Sequence, residues 1–181
     1  RLAIKRLEQA QKDIRLSREE TIQRLAIAAE FRDNATAQHI KRMSRYCGLL
    51  ARRYGLDAER CELIRIASPM HDIGKIGTPD HILLKPGKFT PEEFQIITRH
   101  TDIGYRILFG SEAELLKLAA TIAWTHHEKF DGTGYPDRLA GELAALLATP
   151  ADEVTRQVQA AGIHFDGAER FASLLQTWLK I

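Results

Sequence analysis

Five of the seven histidines in this chain fall in a pattern that could hold metal ions: His39, His71 with Asp72 directly after it, His100, and the adjacent pair His126 and His127. Neutral imidazole and carboxylate are ligands for divalent transition metals, and such ions generate hydroxide at neutral pH. The chemistry indicated is metal-assisted hydrolysis. Each signal is weak alone. A single His-Asp dipeptide carries little information, and a lone histidine on an apolar helix face is usually a core residue satisfied by one hydrogen bond. His81 and His164 are read in that plain way. The conjunction is different, because several buried imidazoles on separate helices would each need a polar partner, at a cost on the order of a few kcal/mol for each failure. Shared metal ions satisfy them together. Asp72 offers two oxygens and can bridge two metals. Lys75, one turn after His71, cannot ligate while charged, yet it can offset phosphate charge beside the metals. A surface lysine near a helix end would look the same.

The elements that must position these groups read as helices. Residues 1–31 form one long charged helix with no Gly or Pro to stop it. Leu7, Ile14 and Thr21 are seven apart, which suits a dimerising coiled coil and equally a solvated linker helix lying on the domain. The expectation is a linker from an upstream sensory or receiver domain, with a homodimer as a further possibility. A second helix, over about 36–54, carries the stripe Ile40, Met43, Cys47, Leu50, Ala51 and Tyr54, with His39 at its border and Gly55 at its end. A third begins after Asp57 and carries Ile64, Ala67 and His71 until Gly74. The stretch 73–91 reads as loop. Thr90-Pro91-Glu92-Glu93 opens a fourth helix by its capping chemistry, and Ile96, Ile97, His100, Ile103, Gly104 and Ile107 are expected on its buried side. A fifth, from about Glu112, carries Leu115, Ala119, Ile122 and His126. A glycine-rich loop, 130–136, follows, then helices opening near Thr149 and near Asp166. No stretch alternates with period two, so the fold class is all-α.

Composition narrows the function classes. At 181 residues the chain is one domain with a sizeable core and an appended helix. A net charge of +2 does not call for a nucleic acid polymer or an anionic membrane as partner. Cys47 and Cys61 sit in apolar helical patterns, as reduced core thiols of a cytoplasmic protein would. No apolar run reaches the roughly 18 residues of a membrane span, so no membrane insertion is expected. The first residue is Arg1, and the chain is expected to be a piece of a longer protein.

Read together, these residues strongly resemble the HD-GYP family of cyclic-di-GMP phosphodiesterases, within the HD superfamily of metal-dependent phosphohydrolases. The match runs from Glu30-Phe31-Arg32-Asp33 through His39 to His71-Asp72-Ile73-Gly74-Lys75-Ile76-Gly77. It continues over Pro79-Asp80, Lys85-Pro86-Gly87-Lys88, His100 and His126-His127-Glu128 to Asp131-Gly132-Thr133-Gly134-Tyr135-Pro136 and Gly141-Glu142, and it resumes at Gly162-Ile163-His164-Phe165-Asp166. The resemblance implies a compact HD-type helical bundle over residues 32–181, preceded by the linker or signalling helix, and a centre of iron or manganese, with nickel or zinc also compatible. It implies opening of cyclic-di-GMP to linear pGpG, and in some members GMP, by a metal-bound hydroxide. His71, His100, His126 and His127 would be ligands, Asp72 the bridge, and His39 a ligand matched to members with three metals. Lys75 would hold the scissile phosphate, and Gly134, Tyr135 and Pro136 would shape a loop contacting the nucleotide. The implied setting is bacterial signalling, with a GGDEF-type diguanylate cyclase as a further partner.

Two departures stand out. Members with a third metal read Asn-Glu-Thr-Gly-x-His before the first histidine, and that glutamate is a ligand. This chain reads Asn34-Ala35-Thr36-Ala37-Gln38-His39, so two metals are expected. After Gly141-Glu142 the family enters a helix with a ligating aspartate and then a basic nucleotide-contacting stretch. Here a helix and loop are lacking after about residue 143, and Leu143–Ala148 lead almost at once into the late helix. Asp152 is an acid of a first helical turn, expected there on dipole grounds, and does not replace the ligand. Because Leu143–Leu147 do not look like a repaired junction, the expectation is an intervening segment in the natural protein. Without it the alternative is a degenerate module that binds cyclic-di-GMP or a diguanylate cyclase without hydrolysis. A hydrolase of another nucleotide is a third reading.

Overall fold

The computed structural model describes residues 2–33, 37–129 and 131–139, and these form seven α-helices and three short 3-10 helices with no β-strand among them. The expected late helices near Thr149 and Asp166, Asp152 and the junction after residue 143 lie outside the described residues. The helices are α1 (Leu2–Glu30), α2 (Ala37–Arg53), α3 (Ala58–Ala67), α4 (Asp80–Leu83), α5 (Pro91–Thr98), α6 (His100–Leu108) and α7 (Glu114–Thr125). The core lies between α2, α3, α6 and α7, where Cys47, Ala51, Ile64, Ala67, Ala119, Ile122 and Ala123 are fully or almost fully enclosed.

Local chemistry accounts for most of the boundaries. On α2, the buried residues Ile40, Met43, Ser44, Cys47, Leu50 and Ala51 recur at helical spacing and make one face apolar. The helix stops where Gly55 takes φ +90, and the amides of Gly55 and Leu56 donate to the carbonyls of Arg52 (3.0 Å) and Ala51 (3.1 Å). That pairing satisfies the last carbonyls of the helix. Asp57 caps α3 by accepting from the Arg60 amide at 2.8 Å. Thr90 and Glu93 form a reciprocal capping box at the start of α5. Cys47 and Cys61 are both free and buried.

Two helices are shorter than the apolar spacing predicts. The third helix was expected to carry His71, but α3 ends at Ala67 because Pro69 has no N–H to offer the Arg65 carbonyl. Hydroxyls take its place: Ser44 Oγ donates to Arg65 O at 2.6 Å, and Ser68 Oγ at 3.3 Å. His71 and Asp72 therefore sit in the turn between the 3-10 helices Ser68–Met70 and Ile73–Gly77, and Lys75 is on the second of these rather than in a loop. The fourth helix divides at Arg99 into α5 and α6, which points different side chains inward. Ile96 and Ile107, expected on the buried side, are partly or largely exposed, whereas His100 and Gly104 are buried.

Helix α1 meets the domain from about its midpoint onward. Ala26, Ala29 and Glu30 are its buried residues, and Arg15 and Glu19 pair with Glu62 and Arg65, each at 2.7 Å. Leu2, Ile4, Leu7 and Ile14 are exposed. No helix among the described residues is long and apolar enough to cross a membrane.

Candidate active site

Asp72 is the centre of the site. It is 8% exposed, on a turn that brings it beneath α6 and α7. The approach is so close that a Cβ on Gly74 would stand 1.9 Å from the His100 carbonyl and 2.4 Å from the Gly104 amide. Only glycine lets the Ile73–Gly77 turn lie against the backbone of α6. That contact delivers Asp72 Oδ1 to 3.4 Å from Nε2 of both His100 and His126, and Oδ2 to 3.1 Å from His71 Nε2 and 2.9 Å from Lys75 Nζ.

Each of three imidazoles turns its other nitrogen toward its own backbone. His71 Nδ1 lies 3.1 Å from Ser68 O, His100 Nδ1 2.6 Å from Ile97 O, and His126 Nδ1 3.0 Å from Ala123 O. A carbonyl can only accept, so Nδ1 carries the proton and donates, and the Nε2 atoms of the neutral His100 and His126 rings present lone pairs to the centre. Those two Nε2 atoms stand 3.1 Å apart with no proton for either to share. Asp72 Oδ1, buried between them, has no hydrogen-bond partner. Two lone pairs and an orphaned carboxylate oxygen facing one point are what a divalent cation requires, and the backbone-anchored Nδ1–H is the usual support for a metal-ligating histidine.

Among the described residues two donor groups lie close enough to share an ion, and both contain Asp72. One is Asp72, His100, His126 and His127. The other is Glu30, His71 and Asp72. Nitrogen and carboxylate donors of this kind fit a transition metal. His39, near the start of α2, is exposed and belongs to neither group, although His71, Asp72 and Lys75 are near enough to influence its charge.

Charge follows the same geometry. Burial, with the neighbouring His126, pushes His100 down to about 4, so the ring is neutral at pH 7. Burial, with His126 and His100 beside it, pushes His127 down to about 2. Burial opposes ionisation of Asp72, but the charge and hydrogen bond of His71, with His126 alongside, outweigh it and hold the carboxyl well below its usual range. Burial also opposes charge on His71, and there Asp72 and Glu30 prevail and raise it.

The Gly-Tyr-Pro loop is fastened to the end of α7. A Cβ on Gly134 would stand 2.3 Å from the Lys129 amide and 2.6 Å from the His127 carbonyl, so a side chain there would lift the loop away. Glu128 is buried and its two oxygens accept from the amides of Asp137 (2.6 Å) and Leu139 (3.0 Å). Tyr135 stacks on His127 with ring centroids 4.5 Å apart and meets Phe94 edge-on at 5.8 Å. Pro136 lies next to it, and beside them runs a groove of about 510 Å³ lined by Phe94, Gln95, Arg99, Tyr135, Pro136 and Arg138. That volume suits a small ligand.

All of His71, Asp72, Lys75, His100, His126 and His127 are thus brought together, with Gly134, Tyr135 and Pro136 at one edge. Sequence reasoning missed Glu30 as a donor and Glu128 as the anchor of the loop. A signal for Glu30 was present, since it lies four residues after Ala26 and one after Ala29, on the stripe that packs inward.

Comparison with known proteins agrees with this picture. A family model described as HD domain matches residues 21–148. The chain is 48% identical over 129 residues to a cyclic di-GMP phosphodiesterase response regulator, RpfG, of Xanthomonas campestris pv. campestris, covering 71% of this chain and 34% of that protein. It is 44% identical over 142 residues to a cyclic di-GMP phosphodiesterase of Thermotoga maritima, covering 77% and 39%. It is 45% identical over 130 residues to a 3'3'-cGAMP-specific phosphodiesterase 2 of Vibrio cholerae, covering 72% and 25%. The chain thus spans about a quarter to two-fifths of the length of these relatives.

Proposed function

The chain belongs to the HD domain family, in keeping with its HD-GYP motifs, and we propose that it is a metal-dependent phosphodiesterase that opens cyclic-di-GMP to linear pGpG. The observation that carries this reading is the convergence of His100, His126 and His127 on Asp72, with Lys75 Nζ 2.9 Å from the same carboxylate and an aromatic groove alongside. His71, His100, His126 and His127 would hold two divalent ions, iron or manganese foremost, with Asp72 between them. When bound, such ions lower the pKa of coordinated water and draw charge from a phosphoryl oxygen.

The chain's own residues supply the rest. Lys75 places a fixed positive charge at the edge of the donor set, where it binds the scissile phosphate and gains interaction as charge builds on phosphorus. Its contact with Asp72 keeps the ammonium oriented before substrate arrives. Tyr135, held by His127 and Phe94, offers a π face to a guanine. Arg99 and Arg138 at the groove give the second phosphate a cationic partner. Regulation would enter through α1 from an upstream receiver or sensory domain, in the cytoplasm, with a diguanylate cyclase as a partner. A second reading has a specific basis: a relative at 45% identity is named for 3'3'-cGAMP, so the groove would take adenine in place of one guanine.

The test is to load the purified protein with Mn(II), supply each cyclic dinucleotide, and follow linear product chromatographically. Turnover of cyclic-di-GMP that is abolished by chelation and by Asp72→Ala is expected. Preference for 3'3'-cGAMP would select the second reading. Tight nucleotide binding with no linear product would replace the enzyme by a binding module.

A further inference from the structure

Glu30 is the last residue of α1, the helix that enters the domain from the N-terminal side, and it is 3% exposed. Its carboxylate, the His71 ring and Asp72 each offer an atom within 4.8 Å of the others. Two buried carboxylates held that close repel one another in a medium of low dielectric and require positive charge beside them, part of which Lys75 supplies at 2.9 Å from Asp72 Oδ2. A divalent cation between them converts the repulsion into coordination. Donors of one ion with bonds of about 2.1 Å stand at most about 4.2 Å apart, so the trio has only to tighten by a fraction of an ångström. The position that would bear a carboxylate in the Asn-x-Thr-x-x-His stretch is Ala35, which offers no donor.

We infer that Glu30 is a ligand of the second metal, completing with His71 and the bridging Asp72 a site whose third donor comes from the incoming helix itself. This rests on the metal-hydrolase reading above, and it adds to it a physical link between α1 and the metal centre. Arg32, two residues further on, donates to the carbonyls of Ile76 (3.0 Å) and Thr78 (2.9 Å) and pairs with Asp80, so the end of α1 is clasped to the same turn that carries Asp72 and Lys75. A helix rotates about 100° per residue, so a small twist or slide of α1 would carry the carboxylate out of reach while leaving the His100, His126 and His127 group untouched. Occupancy of one metal then depends on where the N-terminal helix is held.

The experiment is metal stoichiometry of the full chain after loading with Mn(II) and gel filtration, compared between wild type and Glu30→Gln. Glutamine keeps the size and hydrogen-bonding capacity of glutamate and loses the anionic donor, so a merely structural role would leave the metal count unchanged. Loss of supporting groups outside the ligand set typically weakens metal binding about 10–100-fold. A direct ligand should cost at least about 100-fold at the second site, leaving one Mn(II) per chain in place of two. Two metals bound with equal affinity in both proteins would overturn the assignment of Glu30 while leaving the hydrolase reading intact. No Mn(II) bound by the wild type would sink both. If the variant does not fold, anomalous diffraction from Mn(II)-loaded wild-type crystals decides: a peak in coordination contact with Glu30, His71 and Asp72 is expected, and a peak on His71 and Asp72 out of reach of Glu30 overturns the inference.

Discussion

Replacing Gly74 by alanine tests whether the site depends on one backbone approach. The added Cβ would stand 1.9 Å from the His100 carbonyl, 2.4 Å from the Gly104 amide and 2.9 Å from the Gly104 Cα. All three are backbone atoms, and Cβ contacts below about 3 Å are not tolerated, so the Ile73–Gly77 turn and α6 must separate by roughly 1 Å. Overpacking of this kind costs about 1–3 kcal/mol or more. The larger consequence is local. Asp72 is two residues from Gly74, and His100 is the residue whose carbonyl is struck, so the separation opens the gap between two ligands of one ion. Metal sites tolerate about 0.2 Å in ligand distance, and a misplacement of about 1 Å can cost on the order of 100-fold in rate. Gly77→Ala is the control. It lies on the same 3-10 helix, but the nearest atoms its Cβ would meet are all in the Ile103 side chain, Cδ1 at 2.8 Å and Cγ2 at 3.2 Å, and a side chain can shift where backbone cannot, so a cost at the low end, about 1 kcal/mol, is expected. The assay is thermal unfolding, Mn(II) content and phosphodiesterase turnover for both variants. Gly74→Ala with wild-type metal content and turnover, or equal damage from Gly77→Ala, would refute the reasoning.

Arg32→Ala should lower stability by about 1–3 kcal/mol, since two charge-assisted hydrogen bonds to the carbonyls of Ile76 and Thr78 are lost along with the Asp80 pair; denaturant unfolding would show it, and a change below about 0.5 kcal/mol would mean that the clasp does not hold the turn. The metal-stripped protein should weaken on acidification from pH 6.5 toward 4, because the unfolded chain protonates His100 at its ordinary 6.5 while the folded chain resists until about 4, an effect of about 3 kcal/mol. His126 and His127, also lowered, act in the same direction, whereas His71, which is raised, contributes stability below 6.5 that is lost as pH rises. Urea unfolding of the chelated protein at pH 7 and pH 4.5 checks the sum, and stability that rises on acidification would contradict it.

Much of the molecule is written in local chemistry that a sequence displays directly. The stripe of α2, the Gly55 stop, the Asp57 cap and the Thr90–Glu93 box each act over a few residues, so residue type and spacing sufficed to place them. The site residues were legible for a different reason. Histidine and aspartate in that number and order have few uses but metal binding, and His71, Asp72, Lys75, His100, His126 and His127 do meet in space. What the sequence could not determine is anything set by distant segments packing together. Pro69 marks a break, but the packing of α2 decides how the broken helix end is satisfied, since the Ser44 hydroxyl joins that of Ser68 on the Arg65 carbonyl. The bend at Arg99 exposes Ile96 and Ile107, which apolar spacing alone places inside. Glu30 is an ordinary acidic residue until α1 lies across the Asp72 turn, and Gly74 is an ordinary glycine until α6 comes within contact of it. Local conformation answers to neighbours along the chain. The position of one ligand relative to another answers to the close packing of backbones tens of residues apart, and that is decided only in three dimensions.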